Sequence, residues 1–158
     1  MTLNDLTINP QSINTESLLE DWEWLLKENS RVVLITAMGD LFLQGESGAV
    51  YFLDVCGGTL KAVCENGQEF EDSLSNVTFV TEHFYPSLIF DYRKNGLTLN
   101  EGECYSHKQF LVLGGKDTIE NIEPTNAEVH ISMLGQIHYK LKDLPAGTVI
   151  KDIIFEER

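Results

Sequence analysis

The chain has 158 residues, 42% of them hydrophobic and 23% charged, which suits one folded domain and excludes wholesale disorder. Eleven basic against 25 acidic residues leave a net charge of −14, a balance that repels nucleic acid and anionic membrane and favours a basic partner. No apolar run approaches the ~18–20 residues that span a bilayer, and with Lys27 as the first basic residue no secretory signal is read, so a cytoplasmic location is expected.

Residues 1–13 lack helical or strand periodicity and contain Asn9-Pro10, so they read as an N-terminal arm on the surface, ahead of a single α+β domain over 14–158. Asn14 or Thr15 can cap a helix to about Asn29, with Leu18, Leu19, Trp22, Leu25 and Leu26 on one stripe and Trp24 off it, partly exposed. The period then changes to two. Strands are expected at Arg31–Ala37, Leu41–Gln44, Ala49–Asp54 and Thr59–Cys64, joined by glycine-bearing turns into an antiparallel meander. A short acidic helix follows over Gln68–Leu74. Asn76 caps a longer one over Val77–Lys94, which Pro86 kinks or splits, and Asn95-Gly96 ends it. Residues 97–109 read as a loop, Phe110–Leu113 as a strand, and Ile119–Ile122 as an extended piece closed by Pro124. Asn126 caps a last helix over Ala127–Lys142 with Val129, Met133, Leu134, Ile137 and Leu141 on its apolar side, and Val149–Phe155 can add an edge strand. The layout predicted is an antiparallel β-meander with helices packed on one face and the other face partly open.

Candidate chemistry is sparse. His130 and His138 lie about two turns apart on one helix, ~11–12 Å, too far to share a metal ion, and neither H-E-x-x-H nor C-x-x-C occurs. Gly114-Gly115 fits neither phosphate-loop motif and reads as a turn. Cys104 and His107, three apart, are the one Cys–His pair close in sequence, which is weak support for a nucleophile. Cys56, Cys64 and Cys104 are expected as reduced thiols, although Cys56 and Cys64 can face each other across a hairpin. No enzyme activity, cofactor or metal is therefore expected. The segment with character is acidic: residues 65–91 carry six acids and no base. Glu65, Glu69, Glu71 and Asp72, helped by the loop acids Glu101 and Glu103, form the expected protein-binding surface, with Trp24, Phe70 or Tyr105 as an aromatic anchor.

Several short motifs recur in a family order: Trp22-Glu23-Trp24, Gly39-Asp40-Leu41-Phe42-Leu43, Val50-Tyr51-Phe52-Leu53-Asp54, Cys104-Tyr105-Ser106-His107-Lys108, Leu113-Gly114-Gly115, Glu120-Asn121, Val129-His130-Ile131, Gly135-Gln136-Ile137-His138 and Leu144-Pro145-Ala146-Gly147-Thr148. This order resembles the bacterial C-terminal immunity domain of type VI secretion DNase-effector immunity proteins, formerly a domain of unknown function. The resemblance runs from about residue 16 to 150. It implies an SMI/KNR-like general layout and a cytoplasmic protein that binds and neutralises a cognate secreted toxin, a nuclease with a basic surface. It implies structural roles for Gly39, Asp40, Gly114, Gly115, Asn121, His130 and Gln136. A housekeeping adaptor or small-ligand-binding protein of the same fold is the competing reading.

Overall fold

The computed structural model describes residues 1–150. A five-stranded antiparallel sheet runs in chain order through β1 (Thr7–Ile8), β2 (Ser30–Thr36), β3 (Leu41–Gly45), β4 (Val50–Asp54) and β5 (Thr59–Cys64). The last four strands are the meander expected from the sequence, each end within one residue of the period-two reading. β1 is an addition. The N-terminal arm does not merely lie on the surface: Thr7 and Ile8 pair with Thr36 and Ile35, and Leu6, Ile8 and Ile13 are buried.

Helix α1 is one turn long, Thr15–Leu18, rather than a helix to Asn29. Asn14 caps it as expected, accepting from the Ser17 amide. It then tightens into a 3-10 turn over Glu20–Trp22. The tertiary partner decides this: Trp22 is fully buried and its Nε1 donates to the Ile131 carbonyl at 2.9 Å, while Ser132 Oγ donates to Asp21. The turn holds Asp21 and Trp22 together against the last helix. Trp24 is half-buried, as its off-stripe position predicted.

After β5 come α2 (Gly67–Ser73), α3 (Val77–Phe84) and α4 (Pro86–Lys94). The split at Pro86 is real and turns on Tyr85, which takes a left-handed conformation with φ 51°. Residues 97–109 are not all loop. Glu103–His107 is β6, paired antiparallel with β7 (Ile122–Asn126), while the expected strand at 110–113 is a 3-10 turn over Leu111–Leu113. The expected extended piece at 119–122 is likewise a 3-10 turn over Ile119–Asn121, from which β7 begins. Helix α5 spans Ala127–Leu141, and its buried face is Ala127, His130, Ile131, Leu134, Gly135 and Ile137. Val129, placed on the apolar side from sequence, is 47% exposed. Leu134 and Ile137 are buried as expected and Met133 and Leu141 are half-buried, so the expected face differs at Val129 and omits His130 and Gly135, which carry little hydrophobic weight. The tail expected as an edge strand lies mostly outside the described residues.

Helices cover both faces of the sheet, which corrects the one-face expectation. Alternation along β3 shows why: Leu41 and Leu43 meet α1, Trp22 and α5, while Phe42 meets α2, α3 and α4. Phe42 is ringed by Phe70, Phe52 and Phe84 with centroids 4.9, 5.0 and 5.4 Å away. A bulge at Val33 turns Val33 and Leu34 to the Phe42 side together.

Candidate functional site

The acidic surface is built by α2. Asn66 caps the helix, accepting from the Glu69 amide at 2.9 Å, and Glu69 reaches back to accept from the Glu65 amide at 2.7 Å. Phe70 turns inward onto Phe42. The capped turn therefore leaves Glu65, Glu69, Glu71 and Asp72 all exposed. Glu101 is exposed in the turn before β6, but Glu103 is half-buried and accepts from the Asn100 amide at 2.8 Å, closing that turn. The two loop acids thus belong to a different element from the four on and beside α2. Phe70 and Tyr105 are core residues and offer no anchor; among the described residues the exposed aromatics are Phe90, Tyr139 and Tyr85.

The motif residues fall into three places. Asn121 ties the 109–116 loop: its Nδ2 donates to the Gln109 and Lys116 carbonyls and its Oδ1 accepts from the Gln109 amide. Gly114 has φ 92°, and a Cβ on Gly115 would collide with the Gln109 carbonyl. Gln136 sits on α5, its Nε2 donating to Ser132 Oγ at 3.4 Å. Gly39, Asp40 and His130 meet. A Cβ on Gly39 would stand 2.6 Å from the His130 ring, so only glycine, here at φ 80°, lets the β2–β3 turn close over that histidine.

Around this contact lies a cavity of about 330 Å³. Its inner side is polar and buried: Asp40, His107 and His130 are 4, 7 and 3% exposed. Tyr85, Leu88 and Asp117 line it from more exposed positions. Asp40 Oδ1 accepts from the Val55 amide at 2.9 Å, and burial, then the neighbouring Asp54, push its carboxyl well above the usual range. His130 Nδ1 pairs with Ser106 Oγ at 2.8 Å, while Nε2 has no partner among the described residues. Burial, then His107, hold the His130 ring down to about 4. Cys56 is pushed up to about 11 by burial and by Asp54. A larger hollow of about 730 Å³ lies between α1 and β2, but no buried polar side chain lines it.

This convergence was missed from sequence, although a signal existed. In a meander the β2–β3 and β4–β5 turns fall at the same end of the sheet, which places Gly39-Asp40 beside Asp54–Gly58. By contrast, Cys104 and His107 project to opposite sides of β6. Cys104 packs in the core with its thiol pushed far up by burial, and His107 pairs with Asp117 at 3.2 Å. That arrangement opposes a thiolate nucleophile. All three cysteines are free thiols, and among the described residues no group of three His, Cys, Asp or Glu is placed to hold a metal ion. No helix among them is long and apolar enough to cross a membrane.

A family model matches just under half of the chain. Residues 64–138 match the family model of T6SS immunity protein Tdi1, C-terminal. This is the immunity family that the ordered motifs resemble. The Tdi1-like segment starts at the end of β5 and runs into α5, so it holds α2 to α4, β6 and β7. It includes every acid of the expected surface and the cavity residues Tyr85, His107 and His130. The fold is similar to the crystal structure of Atu4351 from Agrobacterium tumefaciens, with a TM-score of 0.59 and 19% identity. That match covers 82% of this chain, which spans 65% of Atu4351. No curated protein sequence matches the chain.

Proposed function

We propose that this chain is an immunity protein that binds a cognate secreted toxin in the cytoplasm and neutralises it by protein–protein contact. The observation that carries the reading is the Tdi1 C-terminal match over residues 64–138, which contains the acidic surface at 65–72. A nuclease toxin is basic where it holds phosphate, and an acidic inhibitor with a net charge of −14 is drawn to that surface. Glu65, Glu69, Glu71 and Asp72 make the main contact, helped by Glu101 in the turn before β6. The buried thiol of Cys104 and its separation from His107 support inhibition by binding rather than catalysis.

The test starts with the tagged protein as bait at low and high salt in its native host. A stoichiometric basic partner, toxic when expressed alone, is the expected result. Charge reversal (Glu69→Lys, Glu71→Lys, Asp72→Lys) should then slow association about tenfold or more at low salt, with the deficit shrinking at high salt. An unchanged rate and an unchanged salt slope would place the contact elsewhere on the molecule.

A further inference from the structure

We propose that the outer edge of β5 is a docking edge for an extended basic segment of a partner protein, which joins the sheet as a sixth strand. This rests on the immunity reading and gives its contact a form. β5 ends the five-stranded sheet, and no described residue hydrogen-bonds to the outer side of its backbone. An edge strand turns the N–H and C=O groups of alternate residues outward, where they template another strand. The other strand edges are short, tied or interrupted. β1 is two residues long. On the outer side of β6 the Tyr105 amide donates to the Ala37 carbonyl at 2.8 Å. β7 carries Pro124, which has no N–H to offer. β5 has neither a proline nor such a tie. Its ladder to β4 is regular over Thr59–Ala62, with an irregularity only beyond, and Thr59, Lys61 and Ala62 are exposed.

Charge selects the occupant. The edge runs straight into the acidic surface: Glu65 follows Cys64, and Glu69 accepts from the Glu65 amide at 2.7 Å. Basic residues flanking an added strand meet these carboxylates while its backbone completes the ladder. A second copy of the chain fits badly. A symmetric antiparallel register centred on Lys61 sets two lysines face to face, and in every register each copy brings a net charge of −14.

The full chain, labelled with ¹⁵N, is titrated with a capped peptide of alternating threonine and valine that has lysine at both ends. Two controls accompany it: the same peptide with glutamate at both ends, and the lysine peptide N-methylated at two adjacent central amides. The lysine peptide should give saturable shifts centred on residues 59–65, with slowed hydrogen exchange at alternate amides over 59–62. N-methylation should weaken binding about tenfold or more, since adjacent methyl groups interrupt the ladder on either edge of the peptide. Glutamate ends should weaken it about threefold or more. Glu65→Lys should narrow that difference between the lysine and glutamate peptides, which a merely structural role for Glu65 would not do. Shifts scattered over the acidic surface without saturation, or affinity indifferent to N-methylation, would overturn the proposal. So would protection of β5 that rises with protein concentration in the absence of peptide, because a second copy would then hold the edge. Salt-sensitive capture of a toxin without peptide binding at β5 removes this proposal and leaves the immunity reading standing. Peptide binding at β5 without any toxin capture removes the immunity reading and supports the edge.

Discussion

Gly135 shows how one residue sets the packing of an element. It lies inside α5, where alanine is ordinarily better than glycine by up to about 1 kcal/mol. A Cβ there would stand 2.8 Å from both the Asp21 carbonyl oxygen and Cβ, and 2.9 Å from Trp22 Nε1. Two of those atoms belong to backbone-anchored groups, and the third donates to Ile131, so none is a flexible chain end that can swing away. The steric cost of overpacking, about 1–3 kcal/mol, therefore exceeds the helix-propensity gain. Gly135→Ala should lower stability by about 1–2 kcal/mol net, read from the urea midpoint, and shift Trp22 emission to the red as the ring loses its seat. A stabilised variant would mean that α5 moves outward freely and that the Trp22 contact is loose. A mid-helix glycine is visible in the sequence as an anomaly, but only the fold says which neighbour needs the space.

At the scale of elements, the sequence was legible where apolar spacing alone decides and illegible where a distant partner does. The β2–β5 meander was readable because alternation and glycine turns agree from Ser30 at the start of β2 to Cys64 at the end of β5. The α1 region was not, since Trp22 and Asp21 answer to Ile131 and Ser132, more than a hundred positions away. β6 and β7 were hidden for different reasons. β6 buries both faces, Cys104 and Ser106 on one side and Tyr105 and His107 on the other, so each side mixes an apolar with a polar residue and no alternation shows. β7 contains Pro124, which a two-stranded sheet tolerates because each strand has a free edge. The α3–α4 junction combines both kinds of information: Pro86 announces a break, and Tyr85 pays it out as a left-handed residue. Tyr85→Val should cost about 1–2 kcal/mol, since a β-branched side chain resists positive φ, whereas Tyr85→Asn should stay within about 1 kcal/mol of wild type. Urea melts of the two variants decide it; equal losses would mean that the tyrosine ring, not the backbone, determines stability at the junction.

For the whole molecule, the buried ionisable groups at the cavity make stability depend on pH from both sides. In the fold His130 takes up a proton only near 4, against 6.5 for a free histidine, because burial and then His107 oppose the charge. The unfolded chain thus binds more protons between those values, and stability falls as pH drops from about 6.5 towards 4. His138, lowered chiefly by burial, acts in the same direction. Asp5, held down to about 2 by the Thr2 amide and Arg93, and Glu28, lowered by Ser47 and Tyr51, steepen the acid limb, since their stabilisation is lost as they protonate. Asp40 works oppositely. Its folded value is raised by burial and by Asp54, so it favours the fold fully below its ordinary 3.8 and progressively less as pH rises through the raised value. Asp40→Asn keeps an oxygen that accepts from the Val55 amide but has no charge to bury. The variant should therefore match or exceed wild type above about pH 7 and lose that advantage on acidification towards about pH 4, by an amount that grows with pH. Urea midpoints of both proteins at intervals from about pH 4 to 9 test this directly. A deficit in Asp40→Asn that widens with pH would show that the carboxylate is ionised in the fold and needed there, reversing the sign assigned to Asp40.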